Sequence, residues 1–132
     1  MRRLLAVLAL GTLLAAAGCG GDDDEDLVEE SALRDCLTGN GLTLGPPDLS
    51  ASASLGNVSL DFRAVTVEGT AVDFVVQGSA AKAERAAADI RAARAGFGGV
   101  GGEVLAERNA IAVFDAEPTE GSRQAVEECL AA

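Results

Sequence analysis

The chain has no histidine, no tryptophan and no tyrosine, and Lys82 is its single lysine. The missing histidine removes the commonest general base and the commonest transition-metal ligand. Three cysteines that are scattered rather than clustered do not restore a zinc site. Only four phenylalanines remain, so there is no aromatic platform for sugars or bases. No G-x-S-x-G offers an acyl-transfer nucleophile and no C-x-x-C offers a redox pair. Basic side chains are scarce too, 10 against 21 acidic, for a formal charge of −11. Such a surface repels nucleic acid and anionic headgroups and favours solubility. We therefore expect no enzyme active site, no metal, no cofactor and no nucleic-acid partner.

What is present begins at the N-terminus, MRRLLAVLALGTLLAAAGCG. Arg2 and Arg3 form a positive n-region, and Leu4 to Ala17 form an apolar h-region. That length suits a signal peptide and falls short of the ~20 residues a spanning helix needs. The run ends in Ala16-Ala17-Gly18-Cys19, which resembles the lipobox of bacterial lipoproteins, with Ala16 where leucine is usual. The resemblance implies that residues 1–18 are a lipoprotein signal and that Cys19 is lipidated as the new N-terminus. It also implies anchoring at the extracytoplasmic face of the cell membrane. Two or three acyl chains hold stably where one would not, at roughly 0.8 kcal/mol per buried CH₂. The simpler reading is an ordinary secretory signal, with Cys19 incidental.

Removing residues 1–18 leaves 114 residues with 8 basic and 21 acidic side chains, a charge of −13. Residues 19–26 then form a lipidated cysteine and an acidic tether, GGDDDED, too charged to pack and without the spacing of a calcium loop. Residues 27–132 make one extracytoplasmic domain. With Cys19 consumed by lipid, Cys36 and Cys129 remain, and an even pair in an exported chain reads as a disulfide. It would close a loop of about 94 residues, stabilising by about 4.6 kcal/mol in the chain-entropy model. Two buried thiols are the alternative.

Periodicity predicts a helix over 27–38, with Val28, Ala32, Leu33, Cys36 and Leu37 inward, and Leu42–Leu44 as a short extended piece. Residues 45–59, GPPDLSASASLGNVS, lack periodicity and read as disordered. Strands over 60–67 and 70–77 flank a Glu68-Gly69 turn. Ser79 caps a helix over 80–95 whose inner stripe is Ala83, Ala86, Ala87, Ile90 and Ala93, leading to Phe97. Its charged residues, Arg94 included, face water. The G-x-G-x-x-G at Gly96, Gly98 and Gly101 follows a helix rather than opening one, so it reads as a helix C-cap and connector, not a dinucleotide fingerprint. A second hairpin, 103–106 with 110–115, turns at Arg108-Asn109, where Asn tolerates a left-handed backbone. Thr119 caps the last helix, whose inner face is Ala125, Val126, Cys129 and Leu130. Arg123 and Glu127 are spaced to pair across one turn. Phe74 to Ser79 and Phe114 to Thr119 echo each other as hairpin-helix used twice.

The fold expected is α+β, two-layered: about four antiparallel strands with helices on one face, in order αββαββα. Incomplete alternation in 70–77 and 110–115 predicts apolar side chains exposed on the outer face, Val75 among them, as a docking surface beside 45–59. The helix bearing LRDCL and the closing VEECL helix after E-P-T are similar to small secreted proteins and lipoproteins of actinobacteria. That resemblance spans most of the mature chain and implies no activity. The function expected is a non-catalytic, membrane-anchored lipoprotein that binds a protein or other component of the envelope. The alternative is a small carboxylate-dependent hydrolase at the cell surface.

Overall fold

The computed structural model describes residues 26–48, 55, 56, 58–99 and 101–132. The signal 1–18, Cys19 and the tether up to Glu25 lie outside the described residues. Eight elements follow in order: α1 (Glu30–Gly39), β1 (Thr43–Gly45), β2 (Phe62–Val65), β3 (Ala71–Val76), α2 (Ala80–Gly96), β4 (Val104–Glu107), β5 (Ala110–Phe114) and α3 (Glu120–Ala131). The strands form one antiparallel sheet in the order β1-β2-β3-β5-β4. The fold is α+β, as expected, but with five strands instead of four. The short piece after α1 is a true edge strand, Thr43 pairing with Val65 and Gly45 with Arg63.

The two capped helix starts hold, while the first helix begins at Glu30 rather than at residue 27 and leaves Val28 outside it. The Ser79 hydroxyl accepts the Lys82 N–H at 3.2 Å, and the Thr119 hydroxyl accepts the Ser122 N–H at 3.2 Å. Each satisfies an amide that has no partner inside its helix. The β2–β3 turn also falls where Glu68-Gly69 predicts it. Thr66 N–H donates to Thr70 C=O at 2.9 Å, and Gly69 takes φ +90, a backbone closed to most side chains. In the second hairpin the expectation fails: Arg108, not Asn109, takes the left-handed backbone, at φ +56. Asn109 is needed elsewhere, its side chain buried among backbone groups.

The helices do not share one face. Leu33 and Leu37 of α1 and Val126, Cys129 and Leu130 of α3 pack on Phe62, Ala64, Val72, Phe74, Ala112 and Phe114. Ala83, Ala87 and Ile90 of α2 pack on Val75, Ile111 and Val113, the alternate residues of the same strands. Successive strand residues point to opposite faces, so α2 covers the face opposite to α1 and α3. This corrects the two-layer expectation and retires the docking surface proposed around Val75, which is 1 % exposed. The incomplete alternation has a plain cause. A strand buried on both faces reads as a continuous apolar run, and all five residues of β5, AIAVF, are buried.

Two side chains of α2 are corrected as well. Arg94 points inward at 8 % exposure, and Phe97, at the helix end, is 61 % exposed. Part of the stretch read as disordered is built into the fold: Leu55 is buried under α2, and Asp48 pairs with Arg63. Residues 49–54 and 57 lie outside the described residues.

Cys36 and Cys129 are joined by a disulfide with Cα atoms 5.6 Å apart. It ties α1 to α3 on their shared face, as expected, where Leu33, Leu37, Val126 and Leu130 already bury apolar surface.

Candidate functional site

The hairpin register determines a concentrated charged cluster among the described residues. With the turn centred on Glu68, Arg63 of β2 lies opposite Asp73 of β3. Both point to the α2 face, away from Phe62, Ala64, Val72 and Phe74. Asp73 is 1 % exposed. A carboxylate that deep must be paired, and Arg63 pairs it by two parallel bonds, Nε to Oδ1 at 2.8 Å and Nη2 to Oδ2 at 3.0 Å. The same Nη2 lies 3.1 Å from Oδ2 of Asp115, just beyond β5, and Nη1 lies 3.6 Å from Asp48. One guanidinium thus faces three carboxylates drawn from three parts of the chain.

The titration behaviour follows. The Asp73 hydrogen bonds hold the Arg63 guanidinium above its ordinary value, against the cost of burial. Asp115 is pushed above the usual carboxylate range, first by desolvation and then by the neighbouring charge of Asp73, with Arg63 pulling the other way.

A carboxyl with raised proton affinity beside a second acid is the raw material of acid–base catalysis. Here both oxygens of Asp73 are engaged by Arg63, and the carboxylate is shut from solvent. What the arrangement does most directly is tie β2, β3, the segment after β5 and the segment after β1 into one unit. Sequence reasoning passed over this cluster, yet a signal existed. An acid inside AVDFVV is out of place unless paired, but counting outward from a two-residue Glu68-Gly69 turn sets Arg63 against Phe74; the observed turn is centred on Glu68, which sets Arg63 against Asp73.

A second polar group lies where the described part of the chain begins. The Val28 N–H donates to Asn109 Oδ1 at 2.5 Å, and Asn109 Nδ2 donates to the carbonyls of Val28 at 3.0 Å and Gln77 at 2.9 Å. Beside it Arg108 donates from Nε to the Asp26 carbonyl at 2.7 Å, pairs with the Asp26 carboxylate at 2.9 Å, and also donates to the carbonyl of Ala132. The β4–β5 turn therefore holds both ends of the described chain.

Of the site residues expected from sequence, Cys36 and Cys129 meet in the disulfide, and Cys19 lies outside the described residues. The glycine motif closes α2, as read from its order in the sequence. No helix among the described residues is long and apolar enough to cross a membrane. Comparison with protein-family models, with curated proteins and with solved structures finds no match to this chain.

Proposed function

We propose that this chain is a bacterial lipoprotein, anchored through acylated Cys19 at the extracytoplasmic face of the cell membrane. Its single domain serves there as a non-catalytic binding or interaction module of the envelope. One observation carries the reading: a positive n-region, an apolar h-region, small residues and a cysteine stand in that order at residues 2–19. The disulfide agrees with export, since such bridges persist in oxidising compartments. So does the clamp at Asp26–Val28. A domain pulled by its tether needs the entering segment held, and Asn109 and Arg108 hold it by backbone and side chain. Metabolic labelling with a fatty-acid probe tests the anchor. The wild type is expected to incorporate label and Cys19→Ser is not; equal labelling of both refutes the reading.

The second reading, a carboxylate-dependent hydrolase, draws on the raised Asp115 beside Asp73. The engagement of Asp73 by Arg63 weighs against it. Turnover of ester or glycoside substrates that Asp115→Asn abolishes, with the fold intact by circular dichroism, would replace the non-catalytic reading.

A further inference from the structure

Among the described residues Arg94 is the one buried arginine, and its pairing is incomplete. Arg34, Arg63, Arg108 and Arg123 each meet a carboxylate. Arg94 instead donates from Nη1 to the Gly102 carbonyl at 2.7 Å, and its buried Nε has no partner among the described residues. Asp115 and Asp73 act on it only through longer-range attraction. A buried cation without a close counter-charge is costly, and arginine does not escape the cost by losing its proton.

Arg94 lines a cavity of about 500 Å³ between the end of α2 and the glycine-rich turn. One turn earlier on the helix, Arg91 lines the same cavity and is tied by Nη2 to the Val104 carbonyl at 2.8 Å. The acid on the wall, Glu103, is already taken by Arg123 through bonds of 2.7 and 3.0 Å. Gly101 lets the Arg94 guanidinium lie against the turn. A Cβ on Gly101, whose φ is +101, would stand 2.6 Å from Cζ of Arg94. The cavity thus presents two guanidinium groups, each steadied by a backbone carbonyl, in a chain otherwise strongly acidic.

We propose that this cavity binds a small free oxyanion, a phosphate or a carboxylate group, held by Arg94 with Arg91 as the second contact. Guanidinium groups match the geometry of both anions and bind them in charge-assisted hydrogen bonds. The site owes nothing to a helix N-terminus, since the glycine turn follows the end of α2. It gives the binding reading a ligand class and does not depend on lipidation, which the labelling experiment tests separately.

The test is a titration of the full chain in detergent micelles with inorganic phosphate and, separately, acetate, followed by amide NMR and thermal melting. Chloride at matched ionic strength is the control. Saturable shifts at Gly99, Gly101 and Gly102 and a raised melting temperature are expected with at least one oxyanion and not with chloride. Arg91→Gln, at the more exposed position, is expected to keep the fold and weaken binding about tenfold, the scale of one lost charged hydrogen bond. Arg94→Gln is expected to abolish binding. Equal shifts with chloride, or wild-type affinity in Arg91→Gln, overturn the proposal whether or not Arg94→Gln folds.

Discussion

The side chain of Asn109 bonds to both backbone groups of Val28, 81 positions away, accepting its N–H and donating to its carbonyl. A side-chain amide here does what a neighbouring strand would do. It joins the first described residues to the β4–β5 turn. Asn109→Ala would leave the Val28 N–H, the Val28 carbonyl and the Gln77 carbonyl without their partner. We expect a loss of about 3 kcal/mol, since each buried group left unpaired costs about 1–3 kcal/mol. Denaturant unfolding measures the loss. Hydrogen exchange at the Val28 amide should accelerate more than that of the central strands.

Arg63 and Asp73 form a pair that is costly to break and cheap to replace. Arg63→Met leaves the Asp73 carboxylate buried and unpaired, with an expected loss of about 3–5 kcal/mol. The double variant Arg63→Met, Asp73→Leu removes both charges and should recover most of it. A double-mutant cycle in denaturant reads the coupling. If the two losses simply add, the pair does not hold the sheet as described.

Acid acts on Asp115 and Glu103 with opposite signs. Asp115 binds its proton more tightly in the fold than in the unfolded chain. Its contribution is therefore full below the ordinary value near ~3.9 and is lost as pH rises through the raised folded value. Glu103 is held below its ordinary value by the Arg123 hydrogen bond. Its contribution is present above ~4.3 and lost as pH falls through the folded value. Relative to Asp115→Asn, the wild type should gain stability on acidification from neutral pH. Relative to Glu103→Gln, it should lose stability as pH drops below the ordinary glutamate range. Unfolding midpoints over a pH series give both slopes, and identical slopes for wild type and Asp115→Asn would show that Asp115 is not shifted. A carboxyl NMR titration adds a check: Asp73→Asn should lower the Asp115 midpoint.

The Cys36–Cys129 bridge should be resistant to alkylation without reductant and yield two modified thiols after reduction. Cys36→Ala with Cys129→Ala should cost about 2–5 kcal/mol, most of it through the freed unfolded chain. Intact mass and thermal unfolding test the two parts. Two alkylated thiols without reductant would remove the bridge.

Local signals were legible wherever a short stretch of chain decides its own conformation. Ser79 and Thr119 cap helices because a hydroxyl satisfies amides three residues on. Gly69 turns because few other residues accept its backbone angle. Cys36 and Cys129 pair on helix faces that periodicity already turned inward. The α+β class and both hairpins follow from the same short-range rules.

What the sequence determined by itself is therefore the three helices, the two hairpins, the caps at Ser79 and Thr119, the disulfide partners and the expectation of export. The tertiary structure alone decided which face each element covers. Period-two alternation says that Val75 and Phe74 point to opposite sides, but not that α2 waits on one side and α1 with α3 on the other. The helical period of α2 likewise does not say that Arg94 meets a glycine turn, or that Asn109 reaches back to Val28. Those contacts join residues far apart in sequence, and their free energy depends on which surfaces meet. No local propensity encodes that, so Arg63, Asp73, Asp115 and Arg94 became a coherent set of charges only once the sheet had closed.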